Sequence, residues 1–404
     1  MGNDRIRVGL MGVSIHESNK GCEALGYSVL EILNQISGED DKKIDVYLFQ
    51  RMPMKKFILS GFRYKEIIKA YMPEHSYDNL RLKLVFMMHL KNLVFLPKKI
   101  SKMSGIFDYT GGDSFSDIYG QRSFINSSKL KAKIIKRGIP LILGSQTIGP
   151  FSDSKSLDMA CGIIKSCHEV YVRDSMSEKY VYDHFGRKPI LGTDVAFGLP
   201  YEKYEKLKDG KNIGINVSGL LWDDAKNGNK RFHLKTNYIE YCEEIIDYLL
   251  NQNYRVHLVL HAFVESLSNP SDNDYIPYLE LHEKFPETVP SPLFKDCIEA
   301  KSYIAKLDIL IAARMHATIG AISSGTIVIP TSYSRKFEGV YSSINYPYII
   351  NAREQDTKTA VSLTKEWINN SSVLGECGQK SAVTAFRLWN EMKICMKASI
   401  NSFS

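Results

Sequence analysis

The segment of the sequence that best suits catalysis joins an apolar strand to the start of a helix. Leu307–Ala312 is a predicted strand that is apolar except for Asp308, and Arg314 and His316 follow it closely. A helix N-terminus presents unpaired N–H groups and a partial positive charge, so it favours anions such as phosphate or carboxylate. An arginine there adds a bidentate donor, and a histidine can exchange a proton. The structural alternative is that Arg314 pairs with a local carboxylate and His316 is satisfied in the core.

Other cations follow predicted strands in the same way. Lys336 follows the strand Thr326–Pro330, so it could converge on the same anion, although a lone lysine is also typical of a solvated surface. Arg173 ends a strand in the N-terminal half. The helix after it is predicted to start at Ser175, because Ser175 and Glu178 have the spacing of a capping box.

Two more loops combine small residues with a polar side chain. Gly111 and Gly112 follow the predicted strand Gly105–Tyr109, and they would let a ligand approach the backbone, with Asp113 behind them. Ordinary turns often have the same composition. Asn19 opens the first predicted helix, either in a ligand-binding loop or as the helix cap.

Several common kinds of site are not supported. Asp272-Asn273-Asp274 resembles the Asp-x-Asp of metal-dependent glycosyltransferases, but it lies between Pro270 and Pro277 in a turn-rich loop, so no metal site is expected. The histidines have no zinc-ligand spacing, and neither a P-loop nor a nucleophile-elbow motif occurs. The seven cysteines are scattered without a C-x-x-C, which fits a reducing compartment.

Strand and helix signals alternate along most of the chain, which predicts two α/β domains with mostly parallel sheets. A chain of 404 residues also exceeds what one core usually fills. We expect an N-terminal domain over residues 1–200, a C-terminal domain over 201–378 that begins with a linker-like stretch, and a last helix in 379–404 that could pack back on the N-terminal domain. Ligands of such folds bind beyond the C-terminal ends of the strands, so the expected site is a cleft between the domains.

Positive charge is concentrated in residues 51–102. This stretch has 12 basic and 3 acidic residues, whereas the whole chain has a formal net charge of only +7. Together with the apolar run Leu84–Leu96, it predicts a pair of helices with one buried face, or a segment that lies on an anionic membrane or an acidic partner. Nucleic acid is not expected, because no base-reading motif occurs. With no signal peptide and no bilayer-length apolar run, the expected location is cytoplasmic, with peripheral contact at the inner membrane face as a hypothesis.

Taken in order, six segments resemble the polysaccharide pyruvyl transferase family. They are Asn19–Ala24, Tyr109–Asp113, Gly144–Pro150, Val172–Asp174, Gly192–Asp194 and Arg314–His316, with Lys336 downstream. The resemblance implies two Rossmann-like domains facing a cleft, as in GT-B glycosyltransferases. It also implies transfer of the pyruvyl group of phosphoenolpyruvate to two hydroxyls of a sugar in cell-surface or exopolysaccharide synthesis, which leaves a cyclic ketal and phosphate.

The resemblance further implies roles for individual residues. The family's donor-binding positions fall on Arg173, Arg314, His316 and Lys336. His316 is then the candidate acid, and Asp113 or Asp194 would orient or deprotonate the acceptor. The other candidate substrate-binding residues are Asn19, Gly111, Gly112, Gln146 and Met315. Cys22 departs from the Asp of many members. Phosphoenolpyruvate is the expected co-substrate, with no cofactor and no metal.

Two other functions stay open at this level. A GT-B glycosyltransferase that uses a nucleotide sugar would employ the same cations for a diphosphate. A non-catalytic protein could instead bind an anionic glycan or a membrane surface through residues 51–102. The acceptor sugar could be lipid-linked, nucleotide-linked or polymeric.

Overall fold

The computed structural model describes residues 5–15, 17–51, 80–87, 89–90, 93–94, 98–203, 205–207, 210–264 and 272–403. These residues form two compact units. Unit 1 takes its described residues from 1–14, 25–195 and 388–404, and unit 2 takes them from 15–24 and 196–387. The expectation for residues 51–102 falls largely outside the described residues, because 52–79 are not among them.

Unit 1 is built on a parallel sheet of seven strands. The strands in the described part of unit 1, including two that lie outside this sheet, are in chain order β1 (Ile6–Met11), β2 (Ile44–Arg51), β3 (Leu80–Met87), β4 (His89–Leu90), β5 (Leu93–Val94), β6 (Gly105–Asp108), β7 (Leu141–Gln146), β8 (Glu169–Val172) and β9 (Ile190–Leu191). The sheet order is β3-β2-β1-β6-β7-β8-β9, and β4 and β5 form a separate antiparallel pair. The chain reverses its direction of travel across the sheet between β1 and β6, where such sheets bind ligands.

The helices of unit 1 cover this sheet with apolar faces. They are the greater part of α1 (Lys20–Glu39), then α2 (Gln121–Lys136), α3 (Ser154–Ser166) and α4 (Ser175–Phe185). The apolar face of α1 is fully buried at Leu25, Val29, Ile32 and Ile36. The strands β6 and β7 are buried along their whole length, which explains their almost continuous apolar sequences.

Unit 2 repeats the arrangement with six parallel strands. They are β10 (Asn212–Asn216), β11 (Arg255–Leu258), β12 (Val289–Pro290), β13 (Ile309–Ala312), β14 (Ile327–Ser332) and β15 (Ile350–Asn351), in the sheet order β12-β11-β10-β13-β14-β15. The reversal here lies between β10 and β13, which pair in parallel. Its helices are α5 (Gly219–Lys226), α6 (Tyr238–Asn251), α7 (Tyr275–Lys284), α8 (Cys297–Ala305), α9 (Met315–Ser324), α10 (Arg335–Ser343), α11 (Thr357–Asn369) and the start of α12 (Ser371–Asn401).

The end of α12 belongs to unit 1 from Leu388 onward. Its contacts there are specific: the Trp389 indole donates to the Val195 carbonyl at 3.2 Å, and the hydroxyls of Tyr171 and Ser399 lie 3.1 Å apart. No helix in the described part of the chain combines the length and apolarity that a membrane crossing requires.

The predicted α/β class with parallel sheets is confirmed. The predicted strands Gly105–Tyr109, Leu307–Ala312 and Thr326–Pro330 correspond to β6, β13 and β14, with boundaries that differ by at most two residues. The prediction of a pair of helices in residues 51–102 is wrong at Leu80–Met87, which forms β3. Its first half, Leu80–Leu84, alternates apolar and basic residues, and Leu80 is buried whereas Arg81 and Lys83 are exposed. A period of two favours a half-buried strand over a helix.

Candidate functional site

In unit 2, the apolar strand β13 leads directly into the turn that carries Arg314 and His316. Arg314 is the N-cap residue of α9, with extended backbone angles, and His316 lies in the first helical turn and is half-buried. The turn follows β13 at the point where the sheet reverses, beside the end of β10. The topology therefore places both side chains where parallel α/β sheets bind ligands.

The His316 imidazole lies directly against Gly21 in the first turn of α1. A Cβ atom at position 21 would lie 2.5 Å from His316 Nδ1 and 2.9 Å from its Cγ, so only glycine fits. The same turn is held in place by the loop after β11, because the Lys20 N–H donates to the His261 carbonyl at 2.8 Å. The imidazole thus packs against a segment far away in sequence, and that segment is held by the loop after β11.

His261 is a functional candidate that the sequence did not single out. Its side chain is 5% exposed, and its Nδ1 has no hydrogen-bond partner among the described residues. Burial, followed by the nearby His316, Arg314 and Lys20, lowers the pKa of His261 well below its usual range, so this ring is neutral. Its position in the sequence could have identified it, because His261 lies three residues after β11, at a strand end of the same sheet.

Arg314 is paired with two carboxylates of the Asp272-Asn273-Asp274 loop. Its Nε and Nη2 donate to Asp274 Oδ1 at 3.0 and 2.6 Å, and its Nη1 lies 2.6 Å from Asp272 Oδ1. The Asp274 side chain is 1% exposed and that of Asp272 is 52% exposed. Although burial favours the neutral form, the two carboxylates raise the pKa of Arg314. Arg314 is therefore paired with local carboxylates, which is the alternative to anion binding considered from the sequence. An anion could reach Nη1 only in place of Asp272.

Asp274 also fixes the surrounding loops. Its oxygens accept from the backbone N–H groups of Gly219 and Ala262 at 2.8 and 2.9 Å, and from the Asn216 amide at 3.3 Å. These groups follow β10 and β11, so one carboxylate holds the ends of two strands and Arg314 together. The Asp-x-Asp therefore serves as an arginine partner, and the described residues contain no group of three or more potential metal-ligating side chains.

The remaining candidates in unit 2 have different surroundings. Asn19 caps α1, since its Oδ1 accepts from the Gly21 N–H at 2.9 Å. Met315 is buried, at 5% exposure. Lys336 is half-buried, and its ammonium lies 5.5 Å from the centre of the Tyr333 ring.

Glu23 is a fully buried carboxylate one turn into α1, 3.3 Å from the ammonium of Lys20. Burial raises the pKa of Glu23 from 4.5 to about 7, and Lys20 opposes the shift only in part. Because the folded protein holds this proton more tightly than the unfolded chain, the contribution of Glu23 to stability is greatest below pH 4.5 and is lost as the pH rises through 7.

We therefore expect Glu23→Gln to flatten this dependence. We measure the free energy of unfolding in urea at pH 5 and at pH 8. Between these two pH values it should fall by up to about 3 kcal/mol more in the wild type than in the variant. Glu244→Gln, at an exposed position of α6, is the matched control and should follow the wild type. Parallel pH curves for the wild type and Glu23→Gln would contradict the assignment.

In unit 1, Arg173 lies at the end of β8 and is almost fully buried. Its Nη1 donates to Asp194 Oδ2 at 2.7 Å, and its Nε donates to the Thr147 hydroxyl at 2.9 Å. Its Nη2 is buried and has no hydrogen-bond partner among the described residues. The helix α4 after it is capped by Asp174, which accepts from the Ser177 N–H at 2.7 Å, so the predicted capping by Ser175 is wrong although the helix does start there.

The glycines after β6 leave room for this arginine. Gly111 and Gly112 have φ values of 67° and 89°, which favour glycine, and a Cβ at Gly112 would lie 3.2 Å from Arg173 Nη1. Gln146 donates to the Asp108 carbonyl at 2.8 Å, which ties β7 to β6. Asp113 is half-buried and accepts from the exposed Tyr119 hydroxyl at 2.8 Å.

Solved structures show which fold this is. A sucrose-phosphate synthase from Thermosynechococcus elongatus matches at TM-score 0.56, with 11% identity over 98% of this chain and 99% of that one. A putative UDP-N-acetylglucosamine 2-epimerase from Listeria monocytogenes matches at TM-score 0.56, with 9% identity over 96% and 94%. The trehalose-6-phosphate enzyme of E. coli, bound to UDP-2-fluoro glucose, matches at 0.54, with 9% identity over 98% of each chain. The fold is thus that of GT-B glycosyltransferases.

Sequence comparison is more specific. No curated protein matches the sequence. The model of the family described as polysaccharide pyruvyl transferase matches residues 19–335, from the cap of α1 to the first residue of α10. Every candidate residue above except Lys336 falls within this range. The chain therefore belongs to the polysaccharide pyruvyl transferase family.

Proposed function

We propose that this protein transfers the pyruvyl group of phosphoenolpyruvate to two hydroxyls of a sugar, which yields a cyclic ketal and inorganic phosphate. Family membership supports a pyruvyl transferase. The observation that carries the specific reaction is the placement of His316, a half-buried imidazole at the reversal point of the sheet, held against Gly21. Phosphoenolpyruvate is made in the cytoplasm, so the reaction would take place there.

His316 supplies the proton that starts this reaction. Protonation of the methylene carbon of phosphoenolpyruvate turns the enol carbon into an oxocarbenium-like centre. One sugar hydroxyl attacks that carbon, and the proton that it loses replaces the one given by His316. The second hydroxyl then displaces the phosphate, and its proton leaves with the phosphate. Burial lowers the pKa of His261 and keeps that ring neutral, so we assign the role of proton donor to His316 and not to His261.

The two arginines have unequal roles in this proposal. Arg173 retains a buried Nη2 without a partner among the described residues, so it can bind a phosphate or carboxylate oxygen. Arg314 is committed to Asp274 and Asp272, so we assign it to positioning the turn that carries His316. Lys336 supplies a further cation at the next strand end of unit 2.

The two aspartates also differ. Asp194 is fully buried and paired with Arg173, whereas Asp113 is half-buried in a loop with an exposed tyrosine. A carboxylate that takes the proton of a sugar hydroxyl must be accessible to the sugar, which favours Asp113. Asp194 would then orient the guanidinium of Arg173.

Mass spectrometry tests the function directly. The purified protein is incubated with phosphoenolpyruvate and a panel of lipid-linked, nucleotide-linked and polymeric sugars. The expected product carries the mass of one pyruvic acid minus one water, with equimolar phosphate release. Parallel incubations contain nucleotide sugars in place of phosphoenolpyruvate. Glycosyl transfer in those incubations, without ketal formation in the others, would overturn the proposal in favour of a glycosyltransferase.

Gly21→Ala tests the geometry without touching a reacting group. The new Cβ would lie 2.5 Å from His316 Nδ1 and force the imidazole to move. Displacement of a catalytic group by about 1 Å can cost on the order of 100-fold in rate, so we expect kcat to fall by about 10- to 100-fold with a smaller change in KM.

Gly38→Ala is the matched control, because it lies in the same helix and its Cβ would meet nothing within 4 Å. It should leave kcat unchanged and, if anything, raise stability, since alanine favours a helix over glycine. Equal kcat for Gly21→Ala and Gly38→Ala would show that the contact between Gly21 and His316 does not matter for the reaction.

A further inference from the structure

The helix α2 of unit 1 carries a row of exposed cations. Arg122, Lys129, Lys133 and Lys136 are all exposed, and their spacings of seven, four and three residues place them on one face of the helix. At 1.5 Å per residue this row, the basic stripe, is about 21 Å long. Lys131, in contrast, is buried and lies 3.3 Å from Asp108.

The basic stripe has no acidic residue near it in sequence. Between Asp117 and Asp153 the chain contains six basic residues and no Asp or Glu. Exposed cations without interspersed acids produce a positive potential that attracts an anionic surface. Each Lys or Arg near an anionic membrane surface contributes about 1 kcal/mol to binding.

Two exposed apolar side chains directly precede the N-terminal end of α2. Ile118 is 59% exposed and Tyr119 is 50% exposed, and Gly120 alone separates them from the helix. We call these two residues the apolar tip. Isoleucine and tyrosine gain free energy at the boundary between lipid headgroups and acyl chains, and they gain none from a soluble polyanion.

We propose that the basic stripe and the apolar tip bind the surface of an anionic lipid bilayer. The cations meet the headgroups and the apolar tip enters the headgroup boundary. The interface reaches the candidate site of unit 1, because the Tyr119 hydroxyl donates to Asp113 Oδ2 at 2.8 Å. Bound in this way, the loop that carries Asp113 lies next to the lipid. The proposal concerns membrane binding only and does not depend on the proposed reaction.

Vesicle co-sedimentation of the full chain tests the proposal. Binding to phosphatidylglycerol/phosphatidylcholine vesicles should exceed binding to pure phosphatidylcholine, and it should weaken as salt rises from about 0.1 M to 1 M and the Debye length falls from about 10 to 3 Å. The triple variant Lys129→Gln/Lys133→Gln/Lys136→Gln should lower the partition coefficient on the order of 100-fold. Ile118→Ser should lower it several-fold and leave the salt dependence intact.

The matched control changes the same net charge elsewhere. Lys230→Gln/Lys358→Gln/Lys380→Gln removes three exposed lysines of unit 2 and should change the partition coefficient less than twofold. Melting temperatures and circular dichroism verify that all variants fold. An equal loss in both triple variants, equal binding to neutral vesicles, or binding to dextran sulfate without binding to vesicles would each overturn the proposal.

Discussion

His316→Ala is expected to lower kcat for ketal formation by about 10²–10⁴-fold, which is the usual contribution of a general acid. The loss should fall on kcat, because the proton is transferred in the reaction and the anionic groups of the donor are held by other side chains. The measurement is steady-state phosphate release with mass spectrometry of the acceptor. Donor binding, followed as the shift in melting temperature with phosphoenolpyruvate, should stay close to that of the wild type.

The matched control for this variant is His282→Ala. His282 is another partly buried imidazole of unit 2, on α7, with its Nδ1 3.0 Å from the Thr288 hydroxyl. Its removal should leave kcat within about twofold of the wild type. Turnover by His316→Ala at the wild-type rate would refute the role of His316. Loss of both turnover and the melting shift would indicate that this imidazole binds the donor instead of protonating it.

Asp274→Ala is expected to cause the largest loss of stability of any single substitution near the site. It leaves the buried guanidinium of Arg314 without its main partner and removes the acceptor of the Gly219 and Ala262 N–H groups. Breaking a buried ion pair by removing one partner typically costs about 3–5 kcal/mol. Urea unfolding at pH 7 measures this cost. Asp274→Asn, which keeps an oxygen acceptor, should be intermediate and allows the comparison if the alanine variant does not fold.

The other partner of the same arginine provides the control. Asp272 is 52% exposed, so Asp272→Ala should cost less than about 1 kcal/mol. The same substitution frees Nη1 of Arg314, and we expect it to leave kcat within a few-fold of the wild type if Arg314 only positions the turn. Equal destabilisation by Asp272→Ala and Asp274→Ala would contradict the assignment of Asp274 as the structural partner.

Much of the fold follows from local patterns. The strand β13 is correctly predicted because a strand buried on both faces is continuously apolar, and its end is marked by polar or small residues. The error at Leu80–Met87 has a physical cause. The apolar and basic composition of this segment favours an amphipathic helix, whereas the alternation over Leu80–Leu84 has a period of two and predicts a strand.

The candidate site could likewise be predicted only in part. The rule that ligands bind at strand ends identifies Arg173 and Arg314 from sequence, and both lie there in the structure. Their partners were not predictable, because Asp194 and Asp274 reach them from 21 and 40 residues away. His261 was missed for the same reason: its importance depends on its proximity to His316, and no local spacing relates the two.

The residue pattern alone establishes two α/β halves, the order of the strand-end motifs and the family to which they belong, because these depend on periodicity and on short segments along the chain. Tertiary packing determines which charged side chains can contact a ligand. It buries Arg314 between two aspartates, leaves Arg173 with an unused Nη2, and neutralises His261 by desolvation. The sequence shows a concentration of positive charge at residues 51–102, and the structure adds the row of exposed cations on α2. Whether a charge faces solvent, a ligand or a counter-ion depends on neighbours distant in sequence, and only the packed chain brings those neighbours together.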